Sequence, residues 1–125
     1  MRTGKKISGS RYKKQRKKKF YEKIRQAKIV KLGSVRKKKI RVRGGKIKIV
    51  LLSADEANVL DKKTGKNKKV KIKNVLETPS NRFLARPNVL PKGSIIQTEL
   101  GKAKITNRPS QESCVQAVII EEKGR

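Results

Sequence analysis

Residues 36–52, RKKKIRVRGGKIKIVLL, decide how this chain reads. Lys39-Ile40-Arg41-Val42-Arg43 alternates charged and aliphatic residues. Gly44-Gly45 interrupts, and Lys46-Ile47-Lys48-Ile49 resumes the alternation. A period of two puts aliphatics on one face of a strand and cations on the other. A Gly-Gly break between such runs suits a two-residue hairpin turn, in which both turn residues need positive φ. The stretch predicts one β-hairpin with an oily face and a strongly basic face. The first must pack on something, and the second must meet something anionic.

Outward from the hairpin the chain is lopsided. Residues 1–48 hold 22 basic residues and one acid, Glu22, whereas 49–125 hold 15 basic and 8 acidic residues. The total of 37 Lys and Arg against 9 Asp and Glu gives a net charge of +28. Such a density strains any compact state by self-repulsion. Nucleic acid is the simplest relief, with one phosphate per nucleotide and condensed counterions to release. A merely solvated tail need not be this one-sided. A membrane surface would call for an amphipathic helix with aromatics on its apolar face, and only Phe20 and Tyr21 stand nearby. No apolar run approaches the roughly 20 residues of a membrane span, and the N-terminus has no apolar signal-peptide region.

Residues 1–37 read as a basic arm, disordered when free and ordered on a partner. Gly4, Ser8, Gly9 and Ser10 favour flexibility, and Ile7 is the one aliphatic before Phe20. Fully extended, the arm would reach at most about 120 Å, far enough to follow phosphates into a folded RNA. Tyr12, Phe20 and Tyr21 are interleaved with the cations and can stack on unpaired bases. Phe20 and Tyr21 fit the protein's own core equally well. Residues 20–35 fit either a short helix ended by Gly33 or an extended path.

From Lys38 to the C-terminus the reading is a mainly β body, a small barrel or sandwich, spanning 38–125. About seven short strands with turn signals between them suggest it. They cover 39–43, 46–52, 57–60, 68–77, 94–100, 102–107 and 114–120. Val70, Ile72, Val75 or Leu76, Ala103 and Ile105 point inward. Residues 61–66 form a turn suited to Asp61 and Gly65. Residues 81–86 form one helical turn, with Phe83 and Leu84 inward and Arg82 and Arg86 outward, stopped by Pro87. Cys114, beside an aliphatic run, reads as a small core residue. The last five residues are a frayed tail.

Catalytic chemistry finds little support. The chain has no histidine and one cysteine, which excludes an internal disulfide and a Cys/His zinc site. Asp55 and Glu56 are adjacent, so on a strand they point to opposite faces. Neither 33–39 nor 42–46 has the spacing of a phosphate-binding loop. The chain reads as a non-enzyme with no cofactor, no metal and no small-molecule substrate. A β body with a basic arm and interleaved aromatics favours RNA. DNA-compacting proteins carry helices for the major groove or wedges for the minor groove.

The order of several motifs resembles the 8e family of archaeal and eukaryotic small-subunit ribosomal proteins. The resemblance runs over nearly the whole chain. It rests on Lys5-Lys6-Ile7-Ser8-Gly9-Ser10, Ile40-Arg41-Val42-Arg43-Gly44-Gly45, Ala57-Asn58-Val59-Leu60-Asp61 and Thr64-Gly65-Lys66. It continues through Glu77-Thr78-Pro79-Ser80-Asn81-Arg82, Lys92-Gly93-Ser94-Ile95-Ile96 and Thr106-Asn107-Arg108-Pro109. Ile24 departs from a family glycine, as do Ser110 and Ser113, and the long eukaryotic insertion is missing, so the chain looks archaeal in type. The resemblance implies a cytoplasmic structural constituent of the small ribosomal subunit. Its partners would be small-subunit ribosomal RNA and neighbouring ribosomal proteins. A related assembly factor and a DNA-compacting protein are the alternatives. The cations expected on phosphate, with one stacking tyrosine, are Arg2, Lys5, Lys6, Arg11, Tyr12, Lys13, Lys14, Arg16, Lys17, Lys18 and Lys19 in the arm. In the body they are Lys39, Arg41, Arg43, Lys46, Lys48, Arg82, Arg86 and Arg108.

Overall fold

The computed structural model describes residues 4–13, 15–23 and 28–120. Five strands close into a barrel: β4 (Glu56–Leu60), β5 (Asn67–Glu77), β6 (Ile95–Thr98), β7 (Gly101–Ile105) and β8 (Gln116–Ile119). Neighbours pair antiparallel except at the seam, where β4 and β8 run parallel. Closure leaves these strands without a free edge. The interior is small, and paired positions fill it with complementary sizes. Ala57 lies opposite Val70, Ala103 opposite Ile96, and Ala117 opposite both Val59 and Ile105. All seven are buried.

The inward phase of β5 shifts along the strand. Two irregularities, between Ile72 and Asn74 and between Val75 and Glu77, insert extra residues against β6. Each bulge moves the alternation by one position. The core therefore takes Val70, Ile72 and Val75, and Leu76 is exposed. The β4–β5 turn is held by Asp61, which accepts the Lys63 N–H at 3.0 Å and the Thr64 hydroxyl at 2.9 Å.

A second sheet flanks the barrel, in the order β1 (Lys31–Leu32), β3 (Ile47–Ala54), β2 (Arg36–Arg41). β1 runs parallel to the end of β3, and β2 runs antiparallel to it. Only Asp55 separates β3 from β4, and its carbonyl accepts the Ile72 N–H at 2.8 Å. Val30 is buried in the common core, and its carbonyl accepts the Leu90 N–H. Of the stretch 20–35, expected as either a short helix or an extended path, 24–27 lie outside the described residues. The remainder is one 3-10 turn, Phe20–Glu22, then extended chain and β1.

Two further inward assignments need correction. Phe83 lies on a 3-10 turn, Arg82–Leu84, and is exposed. Leu84 is half-buried beside it. Cys114 is half-buried, and the core position belongs to Val115. The last described strand accordingly starts at Gln116, and β6 stops at Thr98, short of Leu100.

Candidate nucleic-acid interface

The hairpin forms, but its register overturns the oily-face, basic-face reading. A two-residue Gly44-Gly45 turn would set Arg43 opposite Lys46, Arg41 opposite Lys48 and Ile40 opposite Ile49. The observed connection is instead the five-residue loop 42–46, with the Val42 N–H donating to the Lys46 carbonyl at 2.8 Å. Gly44 and Gly45 do take positive φ, 71° and 75°. The longer loop shifts the pairing by one residue. Arg41 now faces Ile47, Ile40 faces Lys48, Lys39 faces Ile49 and Lys38 faces Val50. A shift of one exchanges the two faces of one strand relative to the other. The physical gain is plain, because like charges directly opposite each other destabilise a ladder. Every cation in these pairs has an aliphatic neighbour.

The result is a two-faced ribbon. One face carries Lys37, Lys39 and Arg41 with Ile47 and Ile49, and the other carries Lys38 and Lys48 with Ile40. Residues 36–39 and 47–49 are exposed consecutively, so both faces of the outer ribbon meet solvent. Val50 and Leu51 are buried consecutively, so both faces of its root are covered. The root is tied to the loop before β8, with the Leu51 N–H donating to the Glu112 carbonyl at 3.0 Å and Lys48 Nζ to Gln111 Oε1 at 2.8 Å.

The N-terminal segment contains a tight turn that its Gly-Ser composition did not reveal. The Lys6 N–H donates to the Ser10 carbonyl at 2.8 Å, and Lys5 bridges to Arg11. Lys5, Lys6, Arg11, Tyr12, Lys13, Arg16, Lys17, Lys18 and Lys19 are all exposed, whereas Arg2 and Lys14 lie outside the described residues. Lys6 Nζ sits 5.6 Å from the Tyr12 ring centre, and Lys19 Nζ 5.8 Å from that of Tyr21. Glu22 is engaged by Arg16 at 2.8 Å and by the Lys19 N–H at 3.0 Å. The Arg16 guanidinium, then the Lys19 N–H, hold its carboxyl below the usual range.

On the body, Lys39, Arg41, Arg43, Lys46 and Lys48 share the ribbon and its loop, and Arg82 and Arg86 stand exposed on and just after the 3-10 turn. Arg108 lies on the rim of a cleft of about 370 Å³ that adjoins this turn through Leu84 and also carries Lys28 and Lys92. Its apolar wall includes Val30, Leu84 and Leu90. Lys28 and Lys92 are brought beside Arg108 by the fold, a proximity that has no local signal in the sequence. The four aromatics, Tyr12, Phe20, Tyr21 and Phe83, are 54%, 82%, 76% and 86% exposed, and none helps form the core. Among the described residues no cluster of three or more His, Cys, Asp or Glu side chains is placed to hold a metal.

The family model for ribosomal protein S8e matches residues 1–120. The small ribosomal subunit protein eS8 of Methanocorpusculum labreanum is 47% identical over 116 residues, covering 93% of each chain. That of Nanoarchaeum equitans is 46% identical over 115 residues, covering 92% of this chain and 91% of its own. That of Ignicoccus hospitalis is 47% identical over 121 residues, covering 95% and 93%. With an acid-free basic ribbon on a closed barrel and these likenesses along nearly its full length, the chain belongs to the S8e family of ribosomal proteins.

Proposed function

We propose that this protein is a structural constituent of the small ribosomal subunit, held there by small-subunit ribosomal RNA and adjoining ribosomal proteins. Its role is binding, not catalysis. The ribbon supports this reading best. Eight cations fall between Arg36 and Lys48, all exposed, and no acid occurs from Lys23 to Ala54. Phosphates on both faces would offset that charge, and the exposed Ile47 and Ile49 would be covered at the same time.

The basic arm, expected over 1–37, is shortened to the residues ahead of Val30, because Val30 is buried in the core and Lys31–Leu32 and Arg36 and Lys37 pair with β3. The arm follows the RNA backbone with Lys5, Lys6, Arg11 and the cations of 13–19, and Tyr12 stacks on a base. Arg82, Arg86 and Arg108 add phosphate contacts from the barrel side. Sedimentation tests the assignment. The protein should run with finished small subunits in gradients at physiological salt. Association only with precursor particles would identify an assembly factor instead, and preference for duplex DNA over ribosomal RNA would identify a DNA-compacting protein.

A further inference from the structure

We propose that Phe83 is a stacking platform for one unpaired RNA base, with Arg82 and Arg86 on the flanking phosphates. The inference rests on the RNA-binding reading and adds a defined contact to it.

An aromatic ring is large and apolar and normally contributes to a core. Phe83 is 86% exposed, yet its backbone is firmly held. Its N–H donates to Asn81 Oδ1 at 3.0 Å, and the Leu84 N–H donates to the Asn81 carbonyl at 3.0 Å. The Asn81 N–H in turn donates to the Thr78 carbonyl at 3.0 Å, and the Val89 N–H to the Leu84 carbonyl at 3.0 Å. Leu84 anchors the turn in the cleft wall, so the adjoining ring is presented outward on a fixed base. At that exposure the ring adds little packing to the described fold, and the hydrogen bonds that hold the turn come from its backbone and Asn81.

Its surroundings favour a nucleotide over a protein pocket. Arg82 and Arg86 flank it in sequence and are exposed. The adjoining cleft carries Lys28, Lys92 and Arg108, and among the described residues no acid lines it. A flat apolar ring among cations matches a base with phosphates on either side, the combination that single-stranded nucleic acid presents.

The chain contains no tryptophan, so Phe83→Trp places a single fluorophore at the site. With the full-length chain and purified small-subunit ribosomal RNA as probe, the indole emission of the Phe83→Trp variant should be quenched on saturation. Phe83→Ala should weaken binding by about 5- to 150-fold, the range expected for loss of one base–aromatic stack. Its salt dependence should run parallel to wild type, because no charge is lost, and Phe83→Trp should retain affinity. Arg82→Gln should instead flatten the log–log salt slope by about 0.7 to 0.9. Thermal melting of Phe83→Ala should be unchanged.

Affinity of Phe83→Ala equal to wild type, or indole emission indifferent to saturating RNA, would overturn the stacking role. So would crosslinks from position 83 that reach only another protein in assembled subunits. A wild-type chain that fails to bind the RNA would remove the broader reading as well, whereas strong wild-type binding with an indifferent Phe83→Ala removes this one alone.

Discussion

At the scale of single residues, inward positions on regular strands were legible and isolated apolar residues were not. Ile72, Ala103 and Ile105 follow a period of two beside exposed lysines, and all are buried. Hydrophobicity alone would place Phe83 and Cys114 inward, and the structure leaves the first exposed and the second half-buried. That rule works in one direction only, since much of a folded surface is apolar. Two substitutions test the core. Ile96→Ala, at a fully buried position opposite Ala103, should cost about 2–5 kcal/mol in denaturant unfolding. Ala103→Leu should cost about 1–3 kcal/mol by overpacking the same layer. Asp61 provides a pH test. The Lys63 N–H, then the Thr64 hydroxyl, lower its carboxyl below the ordinary aspartate value. The folded pKa is thus below the unfolded one, and the unfolded chain binds more protons between the two. This contribution is fully present above the unfolded pKa and disappears as pH falls through the folded one. Melting curves at descending acidic pH should show a smaller loss for Asp61→Asn than for wild type. Identical losses would mean that the turn does not depend on the charged carboxylate.

At the scale of elements, the strands were visible and their relative phase was not. The run at 36–52 alternates clearly, but pairing depends on whether the loop has two residues or five. Register is pinned strongly only where one face is buried. Here the outer ribbon is exposed on both faces, so the pattern of apolar residues could not choose. Opposed cations could, and avoiding them selects the observed phase. At the root an extra residue on β3 sets Arg36 opposite Ser53, returning to the phase that the two-residue turn would have given. The ribbon's consequence is measurable. The pairs Lys39→Gln/Arg41→Gln and Lys38→Gln/Lys48→Gln remove charge from opposite faces. Each should reduce the salt slope of RNA binding by roughly 1.4 to 1.8, at 0.7 to 0.9 per phosphate. A reduction confined to one pair would mean that only one face meets RNA. Gly44→Ala, at φ 71°, should cost about 1–2 kcal/mol in unfolding, because a Cβ is disfavoured in the left-handed region.

At the scale of the whole molecule, short strands at close spacing limited the body to a barrel or a sandwich. The closing contact joins residues 58–60 to 116–118 in parallel, a pairing with no local signal in the sequence. Charge distribution was fully legible, and it supports the central physical claim. A chain of net charge +28, with the ribbon's cations exposed and its acids concentrated elsewhere, repels itself until a polyanion surrounds it. Salt should act on it in two opposite ways, raising the melting temperature of the free protein by screening and weakening its hold on RNA. The most direct measurement is the affinity of the full-length chain for small-subunit ribosomal RNA across a range of salt concentrations. Contact with about 10 phosphates gives a log–log slope of roughly −7 to −9. A slope near zero, with tight binding kept at high salt, would contradict the account.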